Sequence, residues 1–249
     1  MINMKFIQIS DTHLFSHDNH DIFGVHSNIT FQEVIDKISL EDSYNADGIF
    51  LTGDISQDKT IASYEKAVRV LQKLNLPVYW VPGNHDNLSQ MTSVFQNADN
   101  FMFTSSLSLP NWTFIFLNTA VDNADEGYLT PNEFERLKNE LSASPQNKKI
   151  AIIMHHHPIE VSTPLIDRYI LRNKDEFWNI VAHPEVKLII CGHVHGDYTL
   201  QHNDVMIESA PATCLQWKKG CTKLEIENKI GYKIYYFDPN SYKSTSKIW

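Results

Sequence analysis

Residues 78–86 read Val78-Tyr79-Trp80-Val81-Pro82-Gly83-Asn84-His85-Asp86. Four strand-forming apolar residues are stopped by Pro-Gly, and directly beyond the stop stand an amide, an imidazole and a carboxylate. The same construction recurs four times. The run 5–9 ends in Ser10-Asp11-Thr12-His13, and 48–52 ends in Gly53-Asp54. The run 150–154 ends in His155-His156-His157-Pro158, and 186–190 ends in Cys191-Gly192-His193-Val194-His195. Short apolar runs bounded by turn residues predict buried strands. In open α/β sheets the ligand site lies outside the carboxyl ends of the strands, where a rigid sheet holds the loops in place. Residues far apart in sequence are therefore expected to converge on one point. Gly53, Gly83 and Gly192 allow the tight turns and close backbone approach that such a point needs.

The segments between these runs are amphipathic. Ile29, Phe31, Val34, Ile35 and Ile38 predict a helix over about 28–43, and Ile61, Tyr64, Ala67, Val68 and Leu71 mark a second. Thr130-Pro131-Asn132-Glu133 has the form of a capping box with Pro at the first helical position, opening a helix that carries Phe134, Leu137 and Leu141. Residues 112–117 predict one more strand. The last quarter alternates with period two, which predicts strands at 198–201, 205–208, 222–226 and 232–237, with Asn203-Asp204 and Asn228-Lys229 as hairpin turns. There are no internal repeats and no long linker. The expectation is a single α/β domain over residues 1–249, with two sheets covered by helices in a four-layer sandwich.

Composition narrows the function. The 249 residues are 42% hydrophobic and 20% charged, which excludes a disordered chain. No stretch approaches the roughly 18–20 apolar residues of a membrane span, so no membrane partner is expected. The N-terminus reaches Asp11 and His13 too soon for a signal peptide. Three cysteines without CxxC spacing suit a reducing cytoplasm. A net charge of −9 with no basic run argues against a nucleic-acid partner. An acidic chain can still hold an anionic substrate if a metal ion supplies local positive charge. Seven of the twelve histidines fall in the strand-end blocks.

Each block taken alone has an ordinary reading. Asp11 and Asp54 could cap helices, and Asn84 could serve its own turn. The histidine triple could be a surface or pH-sensitive cluster. Taken together and in order, the blocks form a metal-ligating set of oxygen and imidazole donors. That donor chemistry favours Fe, Mn, Co or Zn over Mg or Ca. Of the other histidines, His183 and His202 read as solvated or structural, and His17, His20 and His26 as candidates to line a substrate cleft. The loops 14–30 and 87–111 are expected to shape that cleft. Trp80, Trp112 and Phe114 read as core, Cys191 as a small buried hydrophobe, and Trp217 as either packing or a site wall.

The ordered set Asp11-x-His13, Gly53-Asp54, Gly83-Asn84-His85-Asp86, His155 and Gly192-His193-x-His195 resembles the signature of the calcineurin-like metallophosphoesterase superfamily. The likeness spans residues 5 to about 200. Residues 51–58, 155–158, Leu171-Arg172-Asn173 and 211–217 resemble more narrowly the class III cyclic-nucleotide phosphodiesterases, the bacterial cyclic AMP phosphodiesterase group. The resemblance implies an α-β-β-α sandwich with two mixed sheets and a dinuclear centre of transition metal ions, Fe and/or Mn, with Zn or Co as alternatives. One ion would take Asp11, His13, Asp54 and His195, and the other Asp54, Asn84, His155 and His193, with His156 the alternative to His155. His85 would protonate the leaving oxygen or position the phosphate, oriented by Asp86. The implied reaction is in-line attack of a metal-activated hydroxide on a 3′,5′-cyclic nucleotide, cyclic AMP first, giving the 5′-monophosphate. Another small phosphodiester or phosphomonoester, such as a glycerophosphodiester or a 2′,3′-cyclic nucleotide, is the alternative substrate. A non-catalytic scaffold is the alternative outside enzymology. The strand at 232–237 could pair across a dimer edge.

Overall fold

The computed structural model describes residues 4–145 and 147–249. The first half alternates β1 (Met4–Ile9), α1 (Ser27–Glu41), β2 (Gly48–Thr52), α2 (Ile61–Leu71), β3 (Val78–Val81) and α3 (Leu88–Phe95). Then come β4 (Phe101–Met102), β5 (Ser106–Ser108), β6 (Trp112–Phe116), α4 (Pro131–Ala143), β7 (Lys149–Ile153), α5 (Lys174–Val181) and β8 (Val186–Cys191). Six strands close the chain: β9 (Tyr198–His202), β10 (Val205–Ser209), β11 (Gln216–Trp217), β12 (Ile226–Glu227), β13 (Gly231–Phe237) and β14 (Tyr242–Ile248).

Two six-stranded mixed sheets result, in the orders β14-β13-β1-β2-β3-β4 and β5-β6-β7-β8-β10-β9. Strands β1, β2 and β3 run parallel in the first sheet, and β6, β7 and β8 in the second. Period-two alternation divides each strand between two cores. Phe6, Phe50, Trp112, Phe114, Phe116, Ile153, Ile190 and Phe237 fill the space between the sheets. Ile7, Ile9, Ile49 and Leu51 face α1, α2 and α3 on one outer side. Ile115, Ile150, Ile152 and Ile189 face α4 and α5 on the other. Both faces of the central strands are covered, so they read as continuous apolar runs. The expected four-layer sandwich is therefore present. No helix among the described residues is long and apolar enough to cross a membrane.

The inner face turns polar toward the carboxyl ends of the strands. Along β1 the inward positions run Phe6, Gln8, Ser10, and along β2 they run Phe50, Thr52, Asp54. Gln8 Nε2 donates to Thr52 Oγ1 and to the Cys191 carbonyl, both at 2.9 Å, tying the sheets together where the loops begin. A second tie is ionic. Lys233, 2% exposed, lies 2.8 Å from Asp197 and 2.9 Å from Glu208, which also accepts from the Tyr242 hydroxyl at 2.7 Å. We expect Lys233→Met to destabilise the protein by about 3–5 kcal/mol, because it strands a buried carboxylate. Lys233→Met with Glu208→Leu should recover most of that in urea denaturation. A single variant as stable as the wild type would show that the pair carries no such penalty.

Several expectations need correction. Ile29 is 59% exposed and lies off the buried stripe of α1, which is Phe31, Val34, Ile35 and Ile38. The capping box at α4 is half formed. Thr130 accepts from the Glu133 N–H, but the Glu133 carboxylate pairs with Arg136 at 2.7 Å and accepts from the Asn118 N–H at 3.2 Å. The strand expected at 222–226 shrinks to Ile226–Glu227. It pairs with Gln216–Trp217, so Asn228-Lys229 does not join a hairpin to β13. Strand β13 lies between β1 and β14, with both edges already hydrogen-bonded, and cannot pair with a second copy. The hairpin at Asn203-Asp204 forms as expected, with Asn203 at φ 52°.

Candidate metal centre

Five strands deliver side chains to one point beyond their carboxyl ends, and that point is built around Asp54. Asp54 Oδ1 accepts the His85 backbone N–H at 2.8 Å. Its Oδ2 lies 3.6 Å from His13 Nε2 and 3.4 Å from His155 Nε2. His155 Nε2 is 3.2 Å from Asn84 Oδ1, and His195 Nε2 is 3.5 Å from Asp11 Oδ1. The His193 backbone N–H donates to the Asp11 carboxylate at 3.1 Å, and its ring lies 5.1 Å from that of His155. Every residue of the expected ligand set is thus brought together, and all but Asn84 are buried. Neither aspartate caps a helix, since α1 begins at Ser27 and α2 is capped by Thr60. Asn84 is turned away from its own loop toward His155.

The backbone is bent to achieve this. Asp11, His13, Asp54, His193 and His195 all have φ between 39° and 69°, the left-handed region that non-glycine residues avoid. Such positions cost about 1–3 kcal/mol each and persist where surrounding structure enforces them. A Cβ on Gly83 would collide with the Asp54 carboxylate, and one on Gly53 would come within 2.7 Å of the Gly83 nitrogen. Glycine is needed here because the two loops touch.

The imidazoles are oriented from behind. His13 Nδ1–H donates to Gln57 Oε1 at 2.6 Å, His155 Nδ1–H to the Thr52 carbonyl at 2.7 Å, and His195 Nδ1–H to the Leu215 carbonyl at 3.1 Å. In the neutral ring each Nε2 then presents a lone pair to the centre, the arrangement typical of metal-bound histidine. His13 Nε2 and His195 Nε2 face each other at 3.0 Å, so two lone pairs meet. They repel unless a shared cation makes them ligands. His193 Nε2 is also buried without a partner. These donors fit a metal centre on chemistry alone.

Electrostatics agrees. Burial pushes His13 down to about 4 and holds His193 and His195 well below the usual range, leaving neutral imidazoles. Burial opposes the charge on Asp54, but His155, His85 and His13 offset it and hold the carboxyl well below the carboxylate range. Burial pushes Asp11 up to about 7. Burial works against His155⁺, but the facing Asp54 raises it to about 9, so a cation must displace that proton. Gln57→Ala is expected to weaken metal binding by about 10–100-fold through loss of the His13 orientation. Titration of the metal-free variant with Mn²⁺ checks this, and an unchanged affinity would contradict it.

The histidine triple divides its labour. His156 accepts from the Thr119 hydroxyl at 2.8 Å through Nδ1 and donates to the Asp125 carbonyl at 3.2 Å through Nε2. Both its nitrogens are engaged, whereas His155 Nε2 is aimed at Asp54. His157 sits 3.4 Å from Asp167 and stacks on His193 with ring centres 5.6 Å apart. Leu171-Arg172-Asn173 braces this loop, with the Leu171 N–H donating to the His157 carbonyl at 3.1 Å.

Asp86 does not orient His85. Its carboxylate accepts the Ile55 and Ser56 N–H groups at 3.0 Å and the Gly83 N–H at 2.9 Å, locking the second block to the third. His85 is half-buried and stands edge-on to His13, with ring centres 4.9 Å apart. His17, His20 and His26 are exposed and lie outside the cleft. The cleft, about 470 Å³, takes Asp21, Ile22 and Phe23 from that loop instead, and Ile166, Tyr169 and Trp217 complete its wall. A larger groove of about 710 Å³ between α1 and α2 contains none of the donor set. Trp217 stacks on His195 with ring centres 5.0 Å apart, which makes it a site wall. Cys191 is a buried strand-end thiol, as expected, and Trp80, Trp112 and Phe114 are core. His183 accepts from the Glu185 N–H and His202 packs on Trp178, both structural. Gln57 and the Leu215 carbonyl were not singled out as functional, although both stretches that contain them carry the narrower resemblance.

Residues 4–197 match the family described as calcineurin-like phosphoesterase. The chain belongs to that family. It is a metallophosphoesterase, and the family implies a dinuclear metal centre. It is 38% identical to a probable cyclic nucleotide phosphodiesterase of Coxiella burnetii over 99% of this chain and 97% of the relative. It is 34% identical to the 3′,5′-cyclic adenosine monophosphate phosphodiesterase CpdA of Vibrio vulnificus over 87% of this chain and 78% of the relative. A dimetal phosphatase from Danio rerio superposes with a TM-score of 0.68 over 97% of this chain and 98% of that one. At 12% identity, that likeness speaks for the fold alone.

Proposed function

We propose that this metallophosphoesterase is a dinuclear phosphodiesterase that opens a 3′,5′-cyclic nucleotide, cyclic AMP first, to the 5′-monophosphate. The observation that carries the reading is the meeting of three histidine Nε2 atoms with the carboxylates of Asp54 and Asp11, at the floor of a cleft of about 470 Å³. The names of the Coxiella and Vibrio relatives support the substrate class. Asp11, His13, Asp54 and His195 would hold one ion and Asp54, Asn84, His155 and His193 the other, with Asp54 shared. His155 is chosen over His156 because His155 Nε2 faces Asp54 and Asn84 of the donor set, whereas both His156 nitrogens are taken by Thr119 and Asp125. Oxygen and neutral imidazole donors suit Fe or Mn, with Zn or Co as alternatives. A bound pair of such ions supplies Lewis acidity toward the phosphoryl group and a nucleophile from water at neutral pH.

The protein's own groups do the rest. Asp54 and Asp11 fix the charge of the centre. His85 stands at the cleft side of Asp54, placed to give a proton to the departing ribose oxygen. Among the described residues, no lysine or arginine lines this cleft. Three free buried cysteines are consistent with a cytoplasmic setting.

The test is turnover by Mn²⁺-loaded protein of 3′,5′-cyclic AMP, 3′,5′-cyclic GMP, 2′,3′-cyclic AMP and bis-p-nitrophenyl phosphate. Efficient opening of 3′,5′-cyclic AMP is expected. Cleavage of the activated diester alone would retain the metal chemistry and discard the cyclic-nucleotide assignment. No turnover of any ester by metal-loaded protein would point to a scaffold.

A further inference from the structure

Residues Asp21-Ile22-Phe23-Gly24-Val25 form a small hairpin at the cleft mouth. Ile22 and Val25 exchange both backbone hydrogen bonds, at 2.9 and 3.0 Å. The two residues between them, Phe23 and Gly24, have φ of 52° and 82°. That is the pattern of a type I′ turn, whose first central position favours Asn, Asp or Gly. A bulky side chain there is an outlier. Asp21 secures the turn by accepting the Gly24 N–H at 2.7 Å. The phenyl ring gains little burial in return, since Phe23 is 51% exposed. Neither turn propensity nor packing accounts for a phenylalanine at this position.

Its neighbours do. The Phe23 ring meets Trp217 edge-on with centres 5.9 Å apart, and Trp217 in turn stacks on His195 of the donor set. An aromatic surface thus runs from the metal centre to the cleft mouth. Ile166 and Tyr169 also line the cleft, and Tyr169 and Trp217 both pack against the apolar cluster that contains Ile166. A phosphate held at the centre leaves its sugar and base to extend along this surface. Local structure that costs stability at such a place marks function.

We infer that Phe23 and Trp217, whose rings meet at 66°, form an angled aromatic platform for the purine base of the cyclic nucleotide, one ring against its face and the other against its edge, with Phe23 as the residue that sets base preference. This rests on the cyclic-nucleotide reading above and extends it to the base. Base–aromatic stacking is sequence-tolerant but stronger for purines, whose flat face is larger.

The experiment compares wild type, Phe23→Asn and Phe23→Tyr. It measures kcat and KM for 3′,5′-cyclic AMP and 3′,5′-cyclic CMP, metal content and Tm. Phe23→Asn places a favoured residue in the turn, so Tm should hold or rise. Its KM for cyclic AMP should climb about ten-fold, with kcat within about two-fold and metal content unchanged. The cyclic AMP preference over cyclic CMP should shrink, and Phe23→Tyr should restore it. Unchanged KM values in a wild-type enzyme that opens cyclic AMP would overturn the platform and leave the functional reading intact. A wild type that opens neither cyclic nucleotide would overturn both.

Discussion

Asp54→Ala should leave the protein unable to hold its metal pair and lower kcat/KM toward 3′,5′-cyclic AMP by at least about 10³–10⁴-fold. The side chain is placed against both halves of the donor set, 3.6 Å from His13 Nε2 and 3.4 Å from His155 Nε2. Its removal also deletes the acceptor for the His85 N–H. Metal catalysis of this type is worth several kcal/mol of transition-state stabilisation, and about 1.4 kcal/mol corresponds to each factor of ten. Folding should survive, because Asp54 is a buried charge in a cluster that strains the metal-free protein. Metal analysis after dialysis, read beside kcat/KM, checks both parts. A variant that keeps two ions per chain and most of its activity would show that Asp54 is not the shared ligand.

His85→Ala should behave differently, keeping both metals while losing about 10²–10⁴-fold in kcat. The contact that ties residue 85 to Asp54 is its backbone N–H, which alanine retains. The imidazole itself stands edge-on to His13, with a ring nitrogen within 4.8 Å of an Asp54 oxygen but no hydrogen bond to it. If the ring supplies a proton to the leaving oxygen, bis-p-nitrophenyl phosphate should lose much less than cyclic AMP, because p-nitrophenolate leaves without one. An empty metal site would mean that His85 is a ligand. Equal losses on the two substrates would assign it to phosphate positioning.

The donor set was legible because its logic is one of strand ends. Each parallel strand announces itself by a continuous apolar run, and the residue types immediately after it can be read directly. The helices α3 and α5 were not legible, since each buries only two residues one turn apart, Met91 with Phe95 and Phe177 with Val181. Strand β14, Tyr-Lys-Ser-Thr-Ser-Lys-Ile, sits at a sheet edge and carries no apolar run. The segment 222–226 misled because Leu224 and Ile226 alternate as in a strand, yet Leu224 is 54% exposed and the strand begins only at Ile226. Asp86 misled for a different reason. Its position next to His85 suggested a side-chain partner, but three backbone N–H groups, two of them about thirty residues earlier in the chain, claim its oxygens. Such long-range backbone contacts leave no periodic trace in a sequence. The same holds for the Leu215 carbonyl behind His195 and for the Phe23 turn, whose strain shows only in its dihedrals.

The most direct measurement is a titration of metal-free protein with Mn²⁺, followed by calorimetry and electron paramagnetic resonance, with 3′,5′-cyclic AMP turnover read at each step. Two equivalents should bind per chain and give the spectrum of a spin-coupled pair, and turnover should track the second equivalent. Saturation at a single uncoupled ion, or a fully loaded pair that leaves cyclic AMP intact, would contradict a shared Asp54 serving a dinuclear cyclic-nucleotide phosphodiesterase.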